Sequence, residues 1–155
     1  MKKLLSALTA AALLCVWTIP CAAALAEDDA GDCAIVYDDS GYQVTELEMA
    51  TEDSSSPSVF SLSTVTGRKT VTRYDSRDRR LFSFTLTATF SYNGSTASAT
   101  SASYSYRIYD SSWDFSSGST RRSRNSAYAT GKFSHGWSTK TVTPKLTCSA
   151  RGQLS

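Results

Sequence analysis

From Phe82 to Tyr92 apolar and hydroxyl side chains alternate without a break. Phe82, Phe84, Leu86, Ala88, Phe90 and Tyr92 take one parity, and Ser83, Thr85, Thr87, Thr89 and Ser91 take the other. Successive side chains of a strand point to opposite faces, so this run predicts a β-strand with one dry and one wet face. Asn93-Gly94 follows at once, a dipeptide suited to the positive φ angles of a tight hairpin turn. The chain then returns through a Ser/Ala/Tyr segment as far as Tyr109. Ala97 and Ala99 are odd there, whereas Tyr104, Tyr106 and Ile108 are even. A face switch near Ala102 therefore predicts a bulge, or a corner where the strand passes between sheets.

The same period appears in shorter pieces elsewhere. Residues 33–37 read as a first strand, 38–41 as a turn and 42–49 as a second strand, whose Glu46 and Glu48 mark an exposed side. A Ser-rich loop at 51–57 leads to a third strand over 58–66, and Gly67 introduces a fourth over 68–75. Residues 76–80 form a charged connection. After a turn at 110–112 a short strand begins at 113–115, and 116–125 reads as a polar, Arg-rich connection. Residues 126–133 and 140–149 close the pattern, separated by Ser134-His135-Gly136-Trp137. Beyond the N-terminal segment no stretch carries a helical period. Many short strands with frequent turn signals predict an all-β fold, a two-sheet antiparallel β-sandwich, immunoglobulin-like in general architecture.

The first 26 residues read as an export signal. Lys2 and Lys3 precede an apolar run from Leu4 to Ile19, and Ala24-Leu25-Ala26 offers a small-x-small cleavage pattern before Glu27. The apolar run is short for a spanning helix and meets Pro20. Lipidation at Cys21 is the competing reading, but Pro20 is a poor residue to precede a lipidated cysteine. Cleavage would leave residues 27–155 as a single secreted domain with no second apolar segment able to cross a bilayer. It would also leave Cys33 and Cys148. Two cysteines near opposite ends of an exported chain predict one disulfide, which would stabilise by about 4–5 kcal/mol in the chain-entropy account.

Charge divides the mature chain. Residues 27–53 hold ten acidic residues and no Lys or Arg, whereas from Arg68 onward fourteen basic residues face four acids. Two arrangements follow from this. Acidic strands can lie beside basic ones, or a segregated basic face can attract an anionic polymer. The local basic clusters are Arg121-Arg122-Ser123-Arg124 and Arg77-Asp78-Arg79-Arg80, both in predicted loops. Nucleic acid is disfavoured by the export signal and by the lack of a reading motif.

Catalytic signals are weak. His135 is the single histidine, and no Gly-x-Ser-x-Gly elbow accompanies it. Asp110 and Asp114 flank Trp113 without the context of a glycosidase carboxylate pair. Asp28, Asp29, Asp32, Asp38 and Asp39 lack calcium-loop spacing, and one histidine with no close cysteine pair does not make a zinc site. No metal and no cofactor is expected. Asn93-Gly94-Ser95 matches a glycosylation sequon that the turn already explains. Trp113, Trp137, Tyr104, Tyr106, Tyr109 and Tyr128 could form a sugar-stacking platform or fill the core.

Phe84 to Gly94, Asp110-Ser111-Ser112-Trp113 and the tail from Leu146 to Ser155 together resemble an uncharacterised family of small secreted β-rich proteins of Gram-positive, Clostridia-type bacteria. The likeness covers roughly the last half of the chain and rests most on Tyr-Asn-Gly and on Thr-Cys-Ser…Gly-x-Leu-Ser. It implies an extracellular address and a β fold, and it carries over no catalytic or binding residue. The expectation is a secreted, non-catalytic binding module for an extracellular glycan or an anionic cell-wall polymer, possessing binding candidates Trp113, Trp137, Arg121, Arg122 and Arg124. The alternative is an accessory subunit that pairs with another exported protein through a strand edge. A hydrolase is the third reading.

Overall fold

The computed structural model describes residues 33–50 and 62–155. The expected export signal, Cys21, the lead-in to residue 32, the Ser-rich loop and residues 58–61 lie outside the described residues. Five strands form one antiparallel sheet in chain order: β1 (Cys33–Asp38), β2 (Gly41–Ala50), β3 (Ser63–Tyr74), β4 (Arg80–Tyr92) and β5 (Ala97–Ile108). A smaller sheet holds β6 (Asp114–Ser123), β7 (Ser126–His135) and β8 (Ser138–Val142), and β9 (Lys145–Thr147) also pairs with β7. No helix occurs among the described residues, and none is long and apolar enough to cross a membrane. Both sheets are sequential meanders, without the exchange of strands between sheets that defines immunoglobulin domains.

The alternating run is β4, between β3 and the edge strand β5, and its even residues from Phe82 to Phe90 are the heart of the core. Phe82, Phe84, Leu86, Ala88 and Phe90 are fully buried, and each large one contributes about 2–3 kcal/mol of apolar burial. They meet the inward residues of β7. Phe82 stacks on Phe133 at 3.9 Å between centroids, and Phe84 meets Phe133 edge-on at 6.1 Å. Gly118 and Gly131 pair across β6 and β7, and their missing side chains leave a trough for facing rings. A Cβ on Gly131 would stand 2.7 Å from the Phe84 ring, and one on Gly118 would stand 2.6 Å from Tyr104. The apolar faces of two sheets therefore meet in a sandwich-like arrangement.

Several expectations change at this level. Asn93 and Gly94 open a four-residue connection, because Tyr92 pairs with Ala97. Gly94 takes a positive φ of 84°, and the Asn93 side chain accepts from the Ser95 and Thr96 amides. The face switch in β5 is a bulge: Thr89 pairs with Ser101 and Phe90 with Ala99, leaving Thr100 over. The expected third and fourth strands are one strand, β3. Gly67 remains in the ladder, opposite Met49 and Ala88, and its missing Cβ gives room to Leu154 from the C-terminal tail. The Arg-rich connection expected at 116–125 is mostly strand β6, which forms because its backbone pairs with β7 from Asp114–Ser134 to Ser123–Ser126. The strand expected at 140–149 keeps one register along β7 but breaks at Pro144, which has no N–H to give and sits on an edge. Its carbonyl still accepts from the Ala129 amide at 3.1 Å.

The structure shows no bridge between Cys33 and Cys148. Cys148 is a buried thiol whose Sγ donates to the Ser149 carbonyl at 3.3 Å. Cys33 pairs with Glu46, and the same row continues through Thr70 and Thr85 on the wet side of the larger sheet. Opposite residues in a ladder share a face, so the two cysteines lie on opposite sides of that sheet.

One side of the two-sheet arrangement is closed. The Ala99 amide donates to the Arg124 carbonyl at 2.8 Å, and the Arg122 guanidinium donates to the Thr100 carbonyl. On the other side an open groove of about 430 Å³ runs between β2–β3 and β8–β9, with Thr45, Lys69, Val71 and Pro144 among its walls. Asp38 spans that open side at one end. It accepts from buried Arg73 on β3, and it pairs with Lys140 on β8 at 3.3 Å.

Candidate anion-binding face

Parity along β6 to β9 sorts the basic residues of the small sheet. Ala127, Ala129, Gly131 and Phe133 of β7 are buried, so Tyr128, Thr130 and Lys132 point outward. Register then carries this outward side to the neighbouring strands. Tyr128 pairs with Arg121 on β6 and with Lys145 on β9, and Lys132 pairs with Ser117 and Thr141. Arg121, Lys132 and Lys145 are all exposed. The remaining outward positions are hydroxyl residues, among them Ser119, Thr130, Thr141 and Ser123, together with Asp114 opposite Ser134. After Asp110 the sequence has one acid, Asp114, at the far end of β6, against seven Lys and Arg.

The centre of this face is a three-residue row. The Arg121 guanidinium lies 4.6 Å from the Tyr128 ring centroid, and the Lys145 ammonium lies 5.6 Å from it. They approach from the two strands flanking β7, so the ring quadrupole holds two cations about 10 Å apart, two strand spacings. Neither forms an ion pair among the described residues, where Arg73 and Lys140 take Asp38 and Arg79 takes Asp75. The acids follow the other expected arrangement in part. Asp38 lies beside basic partners, and on the outward side of the larger sheet Glu48 sits opposite Arg68 with Glu46 two residues away. That outward side carries both signs of charge, with Arg80 and Arg107 on it as well.

The candidates named from sequence do not gather. Trp113 is buried, 5.1 Å from Phe82, and stacks on His135 at 5.4 Å, so it belongs to the core margin. Trp137 is fully exposed in the β7–β8 turn. Arg121 faces outward, and Arg122, one residue on, points the opposite way toward β5. Arg124 lies in the β6–β7 turn at φ 52°. Tyr128, one of the aromatics named for stacking, joins the face, and Lys132 and Lys145 complete it without having been named, because cross-strand register is not written in local spacing. The one available signal was the even parity of Tyr128 and Lys132 against the small residues between them.

No protein-family model, curated protein or solved structure matches the chain. The face must be read from its own chemistry.

Other candidate chemistry is dispersed. Asp110 accepts from the Ser112 amide and hydroxyl at 2.9 and 2.7 Å, and those bonds lower its pKa. His135 lines neither the groove at Pro144, nor the hollow at Thr100 and Arg122, nor the one at Arg80 and Tyr109. Asp38, a weak calcium candidate, is occupied by Arg73, Ser40 and Lys140. Among the described residues no three His, Cys, Asp or Glu side chains cluster.

Proposed function

We propose that the protein is an exported, non-catalytic binding module that holds an anionic polymer of the bacterial envelope against the outer face of its small sheet. The observation that carries this reading is the Arg121–Tyr128–Lys145 row, with Lys132 beside it and a single carboxylate, Asp114, at the far end of the face. Such a row suits a flexible polyanion better than a small ligand. It is flat, its cations are spaced by strands, and its hydroxyl neighbours can donate to phosphate or carboxylate oxygens. Arg121 can also present two parallel N–H groups to one oxyanion, which Lys145 cannot.

The test is retention of the full secreted protein on immobilised polyphosphate, poly(glycerol phosphate) and neutral dextran at two salt concentrations. Retention on both polyanions, weakening several-fold between about 50 and 300 mM salt as screening shortens the charge range, supports the reading. The triple variant Arg121→Glu, Lys132→Glu, Lys145→Glu should lose more than ten-fold in affinity with its circular dichroism unchanged. Equal retention on dextran, or a triple variant that binds like the parent, refutes it. The accessory-subunit alternative keeps one support, the open groove along β8–β9. Pro144 and inward Lys69 at that groove both oppose added strand pairing.

A further inference from the structure

A second row of aromatic and cationic side chains crosses the outward face of the larger sheet at its hairpin end. Tyr37, Tyr42 and Tyr74 sit opposite one another on β1, β2 and β3. Tyr37 and Tyr42 are 5.4 Å apart, and Tyr42 stacks on Tyr74 at 4.8 Å with rings 4° from parallel. The row continues onto β4 because of a bulge. Arg73 pairs with Phe82 but Tyr74 pairs with Arg80, so Leu81 is passed over in the ladder. That extra residue changes the parity of the strand start. Leu81 is buried, and Arg80 turns to the tyrosine side and hydrogen-bonds Tyr74. Bulges commonly re-aim a side chain in this way.

Arg80 lies 5.8 Å from the Tyr109 centroid, and Arg107 on β5 lies 5.3 Å from the same centroid. Two guanidinium groups therefore share one half-exposed ring. One carboxylate, Asp110, lies in the same hollow as Arg80, and the other near Arg79 is taken. Arg79 is held by Asp75 at 2.8 Å, and Asp110 is held by Ser112. Neither Arg80 nor Arg107 forms an ion pair among the described residues. A hollow of about 320 Å³ opens beside them, lined by Arg79, Arg80, Tyr109, Asp110 and Ser111.

From this arrangement we infer a second binding site, distinct from the small-sheet face, for an acidic oligosaccharide whose carboxylates lie on Arg80 and Arg107 and whose sugar rings lie along the tyrosine row. The row spans five strands, about 19 Å, which is long enough for several linked sugars and too long for a single anion. Guanidinium groups accept a planar carboxylate through two parallel hydrogen bonds, which gives this end its preference for uronate over neutral sugar. Tyrosines supply apolar ring area and a hydroxyl at each strand spacing, a combination suited to pyranose rings that carry both C–H faces and hydroxyls.

Titration calorimetry of the full protein with a galacturonate tetrasaccharide, its methyl ester and inorganic pyrophosphate tests the site. Binding of the tetrasaccharide at least ten-fold tighter than of its methyl ester supports it. So does a ten-fold or greater loss in Arg80→Gln, Arg107→Gln and in Tyr37→Ala, Tyr74→Ala, with the small-sheet triple variant unchanged. The Arg pair is exposed, and the Tyr pair reports on the sugar rings independently of charge. Equal affinity for ester and acid overturns the inference. Pyrophosphate binding as tight as the tetrasaccharide, or loss in the small-sheet variant instead, also overturns it and leaves a charge-driven contact in its place.

Discussion

Asp38 ties three strands together through one carboxylate, and its environment sets how the protein meets acid. The hydrogen bond from Arg73 is the main influence holding its pKa well below the ordinary carboxylate range. Partial burial opposes that shift, and Ser40 adds to it through its hydroxyl and amide. The folded state therefore stays charged where the unfolded chain takes up a proton. Stability from this carboxylate is complete above about pH 4, the unfolded value, and is lost progressively as pH falls toward the depressed folded value. Asp38→Asn should flatten that acid limb. At neutral pH it should cost about 2–3 kcal/mol, because Arg73, with a side chain 5% exposed, loses its charged partner. Urea midpoints from pH 2 to 7 check both statements, and an unchanged acid slope in the variant would contradict the first.

At the scale of elements, the thiol of Cys148 gives the clearest consequence of strand register. Burial raises its pKa and shields it, so iodoacetamide should label Cys148 when the protein unfolds and not before. Dithiothreitol should leave the urea midpoint where it is, and a fall in the midpoint on reduction would contradict the register. The strands differ in how much of them the sequence carries. β4 was legible because it is paired on both sides and its even residues from Phe82 to Phe90 are all buried. The slip in β5 was legible as a parity change, and the structure puts the bulge two residues earlier, at Thr100. β6 was not legible. Its inward positions include Gly118, Thr120 and Arg122, chosen for close approach and edge contacts, so no apolar alternation marks it. The bulge at Leu81 was equally hidden, since Arg80-Leu81-Phe82 reads alike with or without a skipped residue. The candidate face suffered for the same reason. Arg121 and Arg122 are neighbours in sequence and point to opposite sides, whereas Arg121 and Lys145 are far apart in sequence and share a ring.

On the scale of the whole molecule, the basic excess of the C-terminal part of the chain reaches the outer face of the small sheet. The meander order makes this possible. Each sheet is built from one contiguous part of the sequence, so a basic C-terminal part becomes a basic small sheet. Glu46 and Glu48 stay on the far side of the larger sheet, too remote and too screened to neutralise it at physiological salt. The most direct measurement of the proposed function is an NMR footprint, following backbone amide shifts of the labelled protein as short-chain polyphosphate is added. The shifts should concentrate on β6, β7 and β9 around Arg121, Tyr128, Lys132 and Lys145, and should vanish at high salt. Shifts confined to the wet face of β2 to β4, or spread evenly over the surface, would contradict the account.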